Sequence, residues 1–195
     1  MNKQIIEYLS KYTVITKELE DIIAESTFFK NYKKGTILLS EGNLSNECFF
    51  VLKGCIRSYF FKEGEEKTIE FYTEEQVVTP ANYGKSTPSK YYLECIEDTV
   101  LNVANPTIEN EMFQKYPQLE SLSRIIAEEI ITKHQTSFTE FKTSNPEERY
   151  LHLLKTRPNI IQRAPQYQIA SYLGIKPESL SRIKKRLMNK MNSSI

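Results

Sequence analysis

The sequence predicts an α+β fold: a β-roll with flanking helices, then one long helix, then a helix-turn-helix. Between Phe28 and about Ala104, seven or eight short runs rich in Phe, Tyr, Val and Ile alternate with turn residues, as strands of a barrel or roll do. From Pro117 to about Thr143 an apolar stripe runs at helical spacing without a break. From Gln166 to Lys190 two shorter amphipathic segments flank Gly174.

The N-terminal residues 3–29 read as helix with breaks. Ile5, Ile6 and Leu9 form one apolar patch, Leu19, Ile22 and Ile23 another, and Thr16 is the expected N-cap of the second piece. The predicted strands are Thr36–Ser40, Cys48–Lys53, Cys55–Lys62, Lys67–Tyr72, Gln76–Thr79, Tyr91–Ile96 and Thr99–Ala104, with turns at Gly35, Gly42, Gly54, Gly64 and Gly84. Residues Pro106–Tyr116 are expected to form a short helix before the long one. The long stripe includes Leu119, Leu122, Ile126, Ile130 and Phe138, too wide for one small barrel to cover, so part of it is expected to face a second copy of the chain. Ser144-Asn145-Pro146-Glu147 marks a new helix start, and Tyr150, Leu151, Leu153 and Leu154 are its expected buried set. Residues 159–163 suggest a short strand before Pro165. The expected domains are 1–116, 117–144 and 145–195.

The last segment has the chemistry. Ile169 and Leu173 mark the buried side of its first helix, Gly174 supplies the turn, and Pro177 suits the first turn of a second helix. Leu180, Ile183 and Leu187 then form one apolar stripe. On the opposite face Glu178, Arg182 and Lys185 lie four and three residues apart and project together. Arg can grip the two acceptors of a guanine edge, and Glu can accept from the cytosine amino group, so Glu178 and Arg182 are the candidate base-reading pair. Lys176, Ser179, Ser181, Lys185 and Arg186, with Gln166, Tyr167 and Gln168 on the first helix, are the candidates for phosphate contacts. Lys176 occupies the expected N-cap, where Ser, Thr, Asp or Asn would cap better.

Charge agrees with that reading. Net charge is +1, yet residues 145–195 hold ten Lys/Arg against three Glu, net +7, and residues 1–144 sixteen against twenty-two, net −6. A basic C-terminal quarter on an acidic body is an electrostatic footprint for nucleic acid. Cys48, Cys55 and Cys95 are scattered and form no CxxC pair, which speaks against a metal site or a disulfide framework. His134 and His152 lie outside the predicted strands, so the ligand cluster that a cupin-like enzyme needs is missing, and no metal or cofactor is expected. The first residues lack the apolar centre of a signal peptide, and no run is long enough for a membrane span, so a cytoplasmic protein is expected. A signalling module whose basic tail contacts protein is the competing reading.

The order of these parts, with the stretches GTILLSEGNLSNECFFVLKGCIRSYF (35–60) and QIASYLGIKPESLSRIKKRL (168–187), resembles the CRP/FNR family of bacterial transcription regulators. The resemblance implies a cyclic-nucleotide-binding-like jelly roll, a homodimer through the long helix, and a winged-helix-like helix-turn-helix on a two-fold-related double-stranded DNA site. It admits RNA polymerase and a small-molecule effector as further partners. By position, Glu178 and Arg182 fall on the family's base-reading sites, while Pro177 stands where many members carry an Arg. Members that bind cyclic AMP have a Gly-Glu pair, with Arg-Ser beginning ten residues after the Glu. Here those positions read Thr79-Pro80 and Lys90-Tyr91, so cyclic AMP binding in the usual way is not expected. Nor is an iron–sulfur cluster, since the N-terminus has no cysteine. A wing after the second helix would need more residues than Met191–Ile195, so any wing is expected in the segment before Pro165, or is absent.

Overall fold

In the computed structural model, residues 1–192 are described, with side chains through Lys190. Two helices, α1 (Asn2–Leu9) and α2 (Lys17–Ser26), precede the strands β1 (Phe29–Tyr32), β2 (Ile37–Leu39), β3 (Cys48–Lys53), β4 (Ile56–Lys62), β5 (Glu65–Tyr72), β6 (Val77–Val78), β7 (Tyr92–Cys95) and β8 (Thr99–Ala104). Helices α3 (Pro106–Lys115), α4 (Pro117–Thr143), α5 (Pro146–Thr156), α6 (Pro158–Arg163), α7 (Gln166–Tyr172) and α8 (Pro177–Asn192) complete the described chain. Two compact units result, one of residues 1–58 and 71–135, the other of 59–70 and 136–195. The division falls inside α4 rather than at its ends, and it groups the tip of the β4–β5 hairpin with the C-terminal helices.

The strands form two four-stranded sheets, ordered β1-β8-β3-β6 and β2-β7-β4-β5. β3 pairs antiparallel with β8, Phe49 opposite Val103 and Val51 opposite Leu101. Alternation along β3 explains its burial on both faces. Phe49 and Val51 enter the core inside the roll with Ile56, Leu93 and Leu101, while Phe50 and Leu52 pack under Ile5, Tyr8, Leu19 and Ile23 of α1 and α2. Thr16 does cap α2, accepting from the Leu19 N–H. Gly54, at φ 101°, lies so close to Thr99 that a Cβ there would sit 2.7 Å from the Thr99 Cα. β1 went unpredicted because Phe-Lys-Asn-Tyr is a short, half-polar edge strand, held by pairing to β8 rather than by burial.

In the second unit Asn145 caps α5 through the Glu147 and Glu148 N–H groups, and the Glu148 side chain returns to the Asn145 N–H. Tyr150 and Leu153 are buried as expected, but Leu151 and Leu154 are exposed. The buried face of α5 is therefore narrower than its apolar residues suggested. The strand expected at 159–163 is instead α6, started by Pro158 at N1 and anchored by the fully buried Ile160. No strand is found among described residues after α4, so α6 takes the place left for a wing. The long helix is also used differently. Leu119 and Ile126 are half-buried against the core under α1 and α2 and Leu122 is buried, so this side of α4 is largely covered within the chain. Ile130 is half-buried, while Phe138 (63%) and Ile131 (56%), one heptad apart, are exposed.

Candidate nucleic-acid interface

Helices α7 and α8 are joined by a turn whose geometry follows from one glycine. Gly174 adopts φ 71°. Its N–H donates to the Ser171 carbonyl, and the Ile175 N–H donates to the Ala170 carbonyl at 3.0 Å, closing α7 with a Schellman motif. A side chain at 174 would press on Phe141 and on Arg149 Nη1, 3.2 and 3.3 Å away. That same Arg149 donates to the Leu173 carbonyl at 2.8 Å and lies 4.0 Å over the Phe141 ring, which fixes the turn on α5 and the end of α4. Ile169, Leu173, Leu180 and Ile183 are buried, so the apolar stripes read from the sequence do pack together.

The hairpin tip belongs to this unit through polar contacts. The Thr68 N–H donates to Ser171 Oγ at 2.9 Å, and that hydroxyl donates to the Glu66 carbonyl at 3.2 Å. Arg157 pairs with Glu70 at 2.7 Å, both largely covered. Burial beside this pair pushes the Tyr172 hydroxyl up to about 12. The sequence carried the Glu63-Gly64 turn but no sign of where the hairpin would dock.

The outward face of α8 carries the candidates together. Glu178 lies in the first turn and is exposed, Arg182 donates weakly to Ser179 Oγ at 3.4 Å, and Lys185 is exposed with no ion pair among the described residues. Lys176, at the N-cap, is exposed and lends its carbonyl to the Ser179 and Leu180 N–H groups. Arg186 is different: it pairs with Glu147. A shallow groove of about 570 Å³ lies beside this face, lined by Glu147, Ile175, Ser179, Arg182, Ile183 and Arg186 among others. Gln166, Tyr167 and Ser181 are exposed, and Ser179 is half-buried. Gln168 is not available: it is 4% exposed, and its Nε2 donates to the Tyr167 hydroxyl. That removes it from the phosphate set, because a helix start packed on its neighbours cannot turn every polar side chain outward. The role of Glu147 was missed, although its sign and its place just after the Asn145-Pro146 start were visible.

Polar groups around the candidate effector positions bond to one another. Thr79 and Lys90 are exposed and Pro80 is buried. Tyr91 packs on the roll core, and its hydroxyl accepts the Ala81 N–H at 2.8 Å. Ser45 Oγ donates to the Ala81 carbonyl, and Ser89 Oγ donates to the Tyr91 carbonyl. Tyr83 donates to Glu109 at 2.8 Å with the Cys48 thiol alongside, and burial pushes that thiol up to about 12. Among the described residues no group of three or more His, Cys, Asp or Glu could hold a metal ion, and no helix is long and apolar enough to cross a membrane.

Residues 29–116 match the cyclic nucleotide-binding domain family. Solved structures share the fold over most of the chain at low identity. FixK2 from Bradyrhizobium japonicum superposes with a TM-score of 0.67 at 20% identity, covering 84% of this chain and 85% of that one. The c-di-GMP responsive global regulator CLP of Xanthomonas campestris gives 0.66 at 13% identity, over 87% and 90%. A CooA mutant from Carboxydothermus hydrogenoformans gives 0.64 at 14%, over 86% and 79%. No curated protein sequence matches the chain significantly.

Proposed function

We propose that this chain, a CRP/FNR-type regulator in fold with a cyclic nucleotide-binding domain at its centre, is a sequence-specific DNA-binding transcription regulator. The observation that supports it most is the exposed face of α8, where Glu178, Arg182 and Lys185 project together from a helix fixed at its start by the Schellman turn. Such a helix fits the major groove with its N-terminal residues on base edges. Two copies joined along the exposed Ile131–Phe138 side of α4 would read two half-sites about one helical turn apart.

Effector binding, on this reading, differs from cyclic AMP recognition. The loop that would accept a cyclic nucleotide is tied by Tyr91, Ser45 and Ser89, and it offers neither a carboxylate for a ribose nor an arginine fork for a phosphate. Selection of random double-stranded DNA by the purified, ligand-free protein tests the main claim. An enriched inverted repeat, bound with an affinity that falls steeply with salt, is the expected result. Retention of no DNA, or of DNA with a flat salt response, would favour a basic domain that contacts protein. Calorimetric titration with cyclic AMP is expected to give no heat of binding.

A further inference from the structure

We infer that Glu147 is a built-in counter-anion for the reading helix, one that limits its attraction to the DNA backbone. This rests on the DNA-binding reading above. Glu147 stands in the first turn of α5, where the Asn145 Oδ1 accepts its N–H at 3.0 Å. Its side chain is only 22% exposed and takes two cations of α8: Oε2 pairs with Arg186, and Oε1 lies 3.5 Å from Lys190 Nζ. Arg186 follows Arg182 by one helical turn, and both line the groove with Glu147. The carboxylate therefore stands at the edge of the surface that would meet a phosphate backbone.

A cation already held on a partly covered carboxylate releases little on meeting a phosphate, since one ion pair is exchanged for another. The fixed negative charge also repels the incoming phosphate. By contrast Lys184 and Lys185, toward the other side of α8, have no ion pair among the described residues. Backbone attraction is sequence-independent, whereas Glu178 and Arg182 read bases. Holding two cations back therefore weakens binding to every duplex by about the same factor and leaves the base-reading pair intact.

The test is Glu147→Gln, which keeps the side-chain size and leaves the Asn145–Glu148 capping pair in place, with thermal unfolding as a check on folding. Binding to a selected site and to a random duplex is measured over a series of salt concentrations. Each added phosphate contact steepens the logarithmic salt slope by about 0.9. The expected result is a slope steeper by about one to two units and tighter binding to the selected and the random duplex alike. Arg186→Ala added to Glu147→Gln is expected to reverse the gain. An unaltered slope or weaker binding in Glu147→Gln overturns the inference, as does a gain that persists when Arg186→Ala is added. If the unaltered protein binds DNA with no salt dependence, it is the DNA-binding reading that fails.

Discussion

Within the first unit the loop from Val78 to Tyr91 satisfies its polar groups internally, whereas in the second unit α8 turns Glu178, Arg182 and Lys185 outward with at most one weak local bond. The loop is bonded to Ser45, Ser89 and Tyr91, and through Tyr83 it reaches Glu109. The helix is held through its buried face, its first turn and the pairing of Arg186 and Lys190 with Glu147. The loop's polar groups have partners within the chain, while the three α8 side chains have at most one weak local bond. A side chain that must exchange its hydrogen bonds with a ligand cannot be deeply committed at home, because each neutral bond contributes only about 1 kcal/mol net and is costly to leave unmade.

The contrast can be broken most severely from inside. Leu180 is fully buried between α7 and α8. Leu180→Ala is expected to cost about 2–5 kcal/mol in urea denaturation and to abolish DNA retention. The buried Cys55 and Cys95 of the roll should meanwhile stay protected from thiol reagents. Gly54→Ala strikes the other unit. Its Cβ would collide with the Thr99 backbone at a positive φ, and a loss of about 3 kcal/mol is expected in the same assay.

Arg182→Ala sharpens the comparison without unfolding either unit. It should cost about 1–3 kcal/mol at one base position and relax specificity there, while Lys185→Ala weakens all sequences alike. Equal effects on every sequence would contradict the two roles. Tyr91→Phe removes the acceptor of the Ala81 N–H and is expected to cost about 1 kcal/mol, seen as faster hydrogen exchange at Ala81 with DNA binding unchanged.

The smallest effect is confined to alkali. Burial raises the Cys48 thiol from 9.0 to about 12 and the Cys95 thiol from 9.0 to about 11. The folded state thus holds these protons more tightly than the unfolded chain does. Their stabilisation is intact below pH 9.0 and is lost as pH climbs toward 12, so the urea midpoint should fall across that window. Replacing both cysteines by alanine should flatten that part of the pH profile.

Much of the fold was legible because its signals are local. Cys48–Lys53 and Thr99–Ala104 were bounded as found, since apolar and β-branched residues crowd both faces of these paired strands. The glycine turn and the two apolar stripes of the last segment were equally plain. What escaped depends on neighbours distant in sequence. Leu151 and Leu154 look like core residues, yet the elements packed on α5 cover only Tyr150 and Leu153. Residues 159–163 suit a strand until Pro158 starts a helix and Ile160 finds a pocket. Gln168 looks free until α7 is packed, and Leu119, Leu122 and Ile126 look ready for a partner until α1 and α2 cover that side.

By itself the sequence determined most of the elements, their order and which side chains share the outward face of α8. Periodicity, glycine at positive φ, proline at helix starts and charge spacing all act over a few residues. Only the tertiary structure decided which side of α4 stays exposed, that the β4–β5 hairpin joins the C-terminal helices, and that Glu147 holds Arg186 and Lys190. Those outcomes depend on which surfaces compete for the same burial and which charges come within reach, and a carboxylate thirty-nine residues from its arginine leaves no periodic trace in the chain.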